Sequence, residues 1–290
     1  MAKFDLDSIV EDVRKTFKGK ENISKRIGKG SDLRELEEKD YIRLPSFWQD
    51  STKTFGLPFG KVVLIAGPSD SGKTSLAIEA MKAAQAQGCG VLYIETENKT
   101  AAKDLTSWGV DADQVMMIHS AIAEEAFELC CQTWDSFKKQ YKDTPLLVII
   151  DSLGNMLSKR DSDLDLTEQS QSPGGKGRIN RLGLNKLIAK MQEDNTALLL
   201  ISYTYDNMGS VGKTVAGGGS LGFFSSLTYQ TSRKSWLERV VKGEKQRYGA
   251  RVIYKLQKNH LQKENVGAKE ILFDITKEGM ALVNQKTEDA

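Results

Sequence analysis

Eight consecutive residues carry the clearest chemistry in this 290-residue sequence: Gly67-Pro68-Ser69-Asp70-Ser71-Gly72-Lys73-Thr74. They fit G-x-x-x-x-G-K-[ST], a pattern in which glycines let successive backbone N–H groups turn inward around phosphate oxygens. A helix beginning just after the loop adds partial positive charge. Lys73 would reach the β- and γ-phosphates, and the Thr74 hydroxyl would complete a Mg²⁺ shell. Two further acids fit beside such a loop. Asp151 ends the apolar run Leu146–Ile150, where a carboxylate can hold the water shell of that ion. Glu97 follows the run Val91–Glu95, where a carboxylate can orient and deprotonate an attacking water; Glu95 is its rival for that role.

These groups need a scaffold that aims them at one place. Apolar runs Val62–Ala66, Val91–Glu95, Val115–Ile118, Leu146–Asp151 and Ala197–Tyr203 read as strands. Helical stretches alternate with them, such as Ser75–Gln87, stopped by Gly88, and Glu124–Tyr141. That alternation predicts an α/β fold with a mostly parallel, twisted sheet and ligands at the strands' carboxyl ends. After Leu227 come strands without helices, at Leu227–Thr231, Ala250–Gln257, Glu270–Ile275 and Met280–Val283. They suggest an antiparallel extension of the same sheet. Two polar segments, Ser158–Arg178 and Thr204–Ser220, follow predicted strands and read as long loops on the phosphate-loop edge, natural places for a second ligand.

Composition narrows the class. Apolar residues make up 39% and charged residues 28%, the balance of a soluble globular chain. No stretch approaches the roughly 20 apolar residues that span a bilayer, so no membrane partner is expected. The acidic start, without an apolar run, is no secretion signal. Cys89, Cys130 and Cys131 lack metal or disulfide spacing and read as buried thiols in a reducing cytoplasm. Two histidines, His119 and His260, make a histidine-based zinc site poorly supplied. Net charge is +2, yet Arg233–Lys269 holds eleven Lys/Arg against three acids. That run is either a solvated face or a wall that meets phosphates.

Leu6, Ile9, Val10, Val13 and Phe17 share one face of a predicted N-terminal helix on a basic, glycine-punctuated linker, Lys18–Asp32. Its apolar face either folds back on its own core or docks on a neighbouring subunit, and linker length favours docking. We divide the sequence into an oligomerisation helix and linker (1–40), an ATPase core (41–284) and a tail (285–290).

From about Arg43 to Phe273 the sequence resembles the RecA-type recombinases, most closely the UvsX branch of the T-even phages. The likeness is carried by Gly56-Leu57-Pro58-Phe59-Gly60, the phosphate loop, and Glu97 followed twelve residues later by Gly109-Val110-Asp111. Ile150-Asp151-Ser152-Leu153-Gly154-Asn155 and Gly212-Lys213-Thr214-Val215-Ala216-Gly217-Gly218-Gly219 are its more specific strings. The resemblance implies a RecA-like P-loop ATPase core and an ATP-dependent filament on single-stranded DNA that pairs homologous duplex DNA. ATP would be held by the phosphate loop through Ser75, with Tyr203 at the γ-phosphate sensor position, and Mg by Thr74 and Asp151. Glu97 would activate water. Ser158–Arg178 and Thr204–Ser220 would be the DNA-binding loops, with Arg178, Arg181, Lys213, Gly217, Gly218 and Gly219 as contacts. Lys258 and His260 would touch a neighbouring protomer's nucleotide in a self-assembled filament or ring.

Four features depart from the family pattern. Ser202-Tyr203-Thr204 stands where a polar pair with Gln or His senses the γ-phosphate; a phenol cannot mimic an amide's paired donor and acceptor. Asp104 stands where an aromatic stacks on adenine. His260 replaces a second lysine, giving less positive charge. Many relatives continue into a C-terminal domain beyond the position of Val283. An accessory paralogue that binds ATP and a partner without strand exchange is the alternative, and a hexameric helicase is a third.

Overall fold

The computed structural model describes residues 4–20, 24, 26–32, 36–44, 56–164, 175–192, 194–206, 213–217, 221–261 and 270–283. The chain divides into two units, residues 1–37 and 38–290. In the first, helix α1 (Leu6–Thr16) is capped by Asp5, whose carboxylate accepts from Ser8 N at 3.1 Å. None of its residues is buried. The linker is not simply free: Arg14 donates to the Ile27 carbonyl at 2.6 Å, and Lys29 pairs with Asp7 at 2.5 Å.

The second unit is built on a ten-stranded sheet. A short pair, β1 (Tyr41–Ile42) and β2 (Leu57–Pro58), stands apart from it. The main-sheet strands are β3 (Val62–Gly67), β4 (Gly90–Glu95), β5 (Val115–His119), β6 (Leu146–Asp151), β7 (Thr196–Asp206), β8 (Lys213–Val215), β9 (Leu227–Val241), β10 (Glu244–Asn259), β11 (Glu270–Thr276) and β12 (Gly279–Leu282). Their order is β12-β11-β10-β9-β3-β7-β6-β4-β5, with β8 paired to β7. From β9 to β5 every neighbouring pair is parallel; β9 to β12 is antiparallel. A mostly parallel α/β sheet with an antiparallel extension is therefore the observed fold.

Strand alternation explains the two cores. Val63, Ile65, Leu147, Ile149, Leu199 and Ile201 face helix α2 (Lys73–Ala86), packing on Leu76, Ala77, Ala80 and Met81. Val62, Leu64, Val148, Ile150, Leu198 and Leu200 face the other way, onto Phe127, Cys130 and Trp134 of α4 (Ala123–Gln140) and Leu184 and Leu187 of α6 (Gly175–Met191). Both faces of a parallel sheet are buried, so these strands read as continuous apolar runs. A short helix, α3 (Ala102–Ser107), bridges β4 and β5. Gly88 ends α2 at φ +71°, with Cys89 N bonded to Ala84 O and Gly88 N to Gln85 O, a Schellman closure.

Three sequence expectations need correction. Strands at Leu227–Thr231 and Ala250–Gln257 are the inner ends of a much longer hairpin, Leu227–Val241 with Glu244–Asn259. Its outer half is largely exposed, with Trp236, Val240 and Tyr248 open to solvent, so no buried face imposes a hydrophobic alternation on it. Lys242 and Gly243 both take positive φ (52° and 85°), the two-residue turn that suits strand twist. Secondly, Ser158–Arg178 is not all loop. Helix α5 (Lys159–Asp163) follows Ser158, and α6 begins at Gly175, so Arg178 is helical. Glycines 175 and 177 are poor helix formers, yet burial of Leu184, Leu187 and Met191 anchors the helix they open. Thirdly, Thr204–Ser220 begins as strand. β7 runs on to Asp206 and pairs back with β8 through Thr204↔Val215, Tyr205↔Thr214 and Asp206↔Lys213.

Candidate functional site

The sheet brings the predicted nucleotide groups to one edge. Register places Glu95 beside Asp151 and Gly67 beside Tyr203, at the carboxyl ends of β4, β6, β3 and β7. The phosphate loop leaves β3 at Gly67 and turns through Asp70 (φ 54°) and Gly72 (φ 85°) into α2. Positive φ at Gly72 is what presents the first N–H groups of α2 to the loop's interior.

The loop's back is held by the antiparallel extension, through contacts that have no local signature in the sequence. Ser71 Oγ donates to Pro68 O at 2.7 Å and lies 2.6 Å from Thr231 Oγ1 of β9. Tyr254 of β10 donates to Gly72 O at 2.6 Å. A Cβ on Gly67 would come within 2.1 Å of Thr231 Oγ1, so β9 seats the loop only against glycine. Arg233 reaches Asp70 at the loop's tip, 3.7 Å from the carboxylate. The same guanidinium lies 4.1 Å from the Trp236 ring centre, and Arg247 covers that ring at 4.9 Å. The basic run therefore begins at the phosphate loop and continues along an exposed arm.

Inside the loop, Lys73 Nζ donates to Pro68 O at 2.6 Å. Burial lowers its pKa, while the carboxylates of Asp151, Glu97 and Asp70 pull the other way. Thr74 Oγ1 donates to Asp151 Oδ2 at 2.7 Å, and Tyr93 donates to the same oxygen at 3.3 Å. A hydroxyl and a carboxylate oxygen this close are hard ligands of the kind Mg²⁺ takes, one or two from protein beside phosphate and water. The residues present fit that ion.

Asp151 has its pKa raised above the ordinary carboxylate value, chiefly by burial and further by Glu97, against the Thr74 hydrogen bond and Lys73. The folded protein thus binds this proton more tightly than the unfolded chain. Asp151 favours the fold below the ordinary carboxylate range, and that contribution is lost as pH rises through the raised value. At neutral pH its charge is a liability without a cation. Asp151→Asn is expected to raise the melting temperature of the nucleotide-free protein at about pH 7, with the gain shrinking toward about pH 4. The same variant is expected to be stabilised less than wild type by added Mg–ATP. Scanning fluorimetry across pH, with and without Mg–ATP, checks both; an unchanged Mg–ATP shift would remove Asp151 from the cation site.

The two acids after β4 differ sharply in surroundings. Glu95 is 3% exposed, and its Oε1 accepts from Glu97 N at 3.0 Å and Lys99 N at 3.3 Å. It shapes the turn, and its other oxygen is buried without a hydrogen-bond partner among the described residues, 3.5 Å from His119 Nδ1. Glu97 is partly open, with its carboxylate bonded to Lys99 Nζ and Asn155 Nδ2 and 3.4 Å from Ser152 Oγ. Access to water thus distinguishes Glu97 from Glu95. Asn155 lies in the string Ile150–Asn155, and its contact with Glu97 has no signature in the spacing of the sequence.

Residues 9–279 match the RecA N-terminal domain family. The chain belongs to the RecA family. It is 28% identical over 250 residues to Protein RecA of Sulfurovum sp. (strain NBC37-1), covering 82% of this chain and 67% of that protein. Protein RecA of Aquifex aeolicus (strain VF5) is 28% identical over 248 residues, covering 83% and 68%. Protein RecA of Fusobacterium nucleatum is 28% identical over 207 residues, covering 70% and 52%. The chain thus spans between about half and about two thirds of the length of these relatives. Among the described residues no helix is long and apolar enough to cross a membrane.

Against that RecA-family frame the remaining predicted residues fall into separate places. Tyr203 lies beside Gly67 in register, but its hydroxyl donates to Gly154 O at 3.3 Å. Asp104 accepts from Ala101 N at 3.0 Å and caps α3. Arg178 and Arg181 are exposed on α6. Gly217 (φ 97°) offers its carbonyl to Asn180 Nδ2 at 3.1 Å. Lys213 is in β8; Gly218 and Gly219 lie outside the described residues. Lys258 pairs with Thr228, well back along the sheet from the phosphate loop, and its ammonium donates to Gly222 O and Ser225 O at 2.6 Å each. Ser225 ends helix α7 (Leu221–Phe224). His260 N bonds to Ser226 O nearby. Neither residue joins the phosphate loop of its own chain.

Proposed function

We propose that this RecA-family chain is a DNA-dependent ATPase that assembles on single-stranded DNA and promotes homologous pairing and strand exchange. The observation that carries this reading is the convergence of Lys73, the Thr74–Asp151 pair and the accessible Glu97 at one sheet edge. ATP would lie along Gly67–Ser75, with Lys73 on its β- and γ-phosphates. Mg²⁺ held through Thr74 and Asp151 would offset phosphate charge as the bond to the leaving group breaks. Glu97 would orient water in line and take its proton. Arg178, Arg181, Lys213 and Gly217–Gly219 would meet the single strand, cations neutralising phosphate where glycine allows close approach. Lys258 and His260, remote from their own phosphate loop, would serve the nucleotide of an adjoining copy, and α1 would dock on such a copy. A place in the T-even-phage branch belongs to this proposal and rests on the motif strings alone.

A second reading, an accessory paralogue without strand exchange, is favoured by Tyr203, whose hydroxyl is committed to Gly154 and not directed at phosphate. ATP hydrolysis with and without single-stranded DNA, followed by a joint-molecule assay with homologous duplex, separates the two. DNA-stimulated hydrolysis with homology-dependent joints is expected. Hydrolysis indifferent to DNA, without joints, would leave the paralogue. Translocation without pairing would point to a helicase.

A further inference from the structure

The turn Leu153–Asn155, just after Asp151, is gripped from both sides. Toward the nucleotide site, Asn155 Nδ2 donates to Glu97 Oε1 and to Ser152 Oγ, the latter at 3.0 Å. Away from it, Tyr203 donates to Gly154 O, and a Cβ on Gly154 would come within 2.3 Å of the Tyr203 ring. Asn180 of α6, fully buried, spans the gap: its Nδ2 donates to Leu153 O at 3.4 Å and to Gly217 O at 3.1 Å. Its Oδ1 has no hydrogen-bond partner among the described residues. A buried amide with an unmatched acceptor costs free energy, yet a leucine here would leave the Leu153 and Gly217 carbonyls without this donor. What the amide supplies is one donor group shared between two carbonyls on different segments. Ser202 adds a parallel tie, donating to Ala216 O at 2.6 Å.

We propose that Asn155 and Asn180 are positioning residues for hydrolysis. Asn155 holds the Glu97 carboxylate, and Asn180 fixes the turn carrying Asn155 to the base of the second loop at Gly217. Occupancy of that loop by a polyanionic strand is thereby transmitted to Glu97. This rests on the reading of Glu97 as the water-activating base. The route is a continuous chain of hydrogen bonds, Gly217–Asn180–Leu153 and then Asn155–Glu97 across one turn of backbone, with no contact to phosphate required.

The test compares wild type with Asn180→Leu and Asn155→Ala in ATP turnover, with and without an oligo-dT strand. Oligo-dT binding is measured separately by fluorescence anisotropy. Asn180→Leu is expected to bind oligo-dT within about twofold of wild type and to keep its KM for ATP. Its stimulation by DNA should fall at least about tenfold. Asn155→Ala should lower kcat with and without DNA at unchanged KM, and Asn155→Gln should recover part of it. Full stimulation in Asn180→Leu overturns the route. If that variant does not fold, Asn180→Ala is read in the same way. Unimpaired turnover in Glu97→Gln overturns the reading of Glu97 and this route with it. Full stimulation in Asn180→Leu beside an inactive Glu97→Gln overturns the route alone.

Discussion

Glu97→Gln is expected to turn over ATP about 10² to 10⁴ times more slowly than wild type, with ATP affinity retained. Glutamine preserves the shape and can still meet Asn155 through its oxygen, but it cannot accept a proton from water. Glu95 cannot replace it: that carboxylate is buried, and one oxygen is spent on the backbone of Glu97 and Lys99. Lys99 adds a diagnostic detail. Its hydrogen bond to Glu97 raises the ammonium's pKa. An ion pair so exposed is screened and weak, so Lys99 can leave the carboxylate when substrate enters. Single-turnover kinetics beside equilibrium binding of a fluorescent ATP analogue separates the two effects. Normal chemistry in Glu97→Gln would force a search for another base. A loss of affinity equal to the loss of rate would make Glu97 a binding residue instead.

The second large effect is expected at Lys73. Its ammonium is half-buried, already depressed in pKa by burial, and rests on a single carbonyl at 2.6 Å. Phosphate oxygens would offer it charge-assisted hydrogen bonds, each worth about 1.5–3 kcal/mol. Lys73→Ala should therefore weaken ATP binding by about 10- to 100-fold or more, and abolish DNA-stimulated hydrolysis at ordinary ATP concentrations. The nucleotide-free protein should melt close to wild type, because a poorly solvated charge has been removed along with one hydrogen bond. An upward shift in melting temperature on adding Mg–ATP is expected in wild type and should largely vanish in this variant, as linkage requires when the folded state no longer binds the ligand tightly. A variant that keeps the full shift would show that the loop holds nucleotide without this lysine.

Much of this site could be read before any fold was known. G-x-x-x-x-G-K-[ST] between a buried strand and an alanine-rich helix states a local backbone problem with few solutions. Asp151 was legible because a carboxylate ending the apolar run Leu146–Ile150 must emerge at the carboxyl edge of a parallel sheet. Other features had no local signature. Thr231 and Tyr254 look like ordinary strand residues, yet they clasp the phosphate loop from 160 and 182 residues away. The outer halves of β9 and β10 carry no hydrophobic period because both faces meet solvent, and cross-strand pairing alone keeps them extended. Gly175 and Gly177 read as loop for want of helix propensity, and burial further along α6 decided otherwise.

By itself, then, the amino-acid sequence determined the α/β class, the phosphate loop, the paired Thr74 and Asp151, and the candidacy of the acids after β4. Each depends on chain neighbours whose spacing is set by the period of a strand or a helix. Only the tertiary structure sets the buried Glu95 apart from the more open Glu97, because exposure and hydrogen-bond partners belong to the packed molecule. It alone tied Asn180 to both Leu153 and Gly217, turned Tyr203 toward Gly154, and set Lys258 away from its own phosphate loop. Those outcomes depend on which strands lie side by side and in what register. No local pattern encodes that order, since it is chosen by burying two apolar faces of one sheet at once.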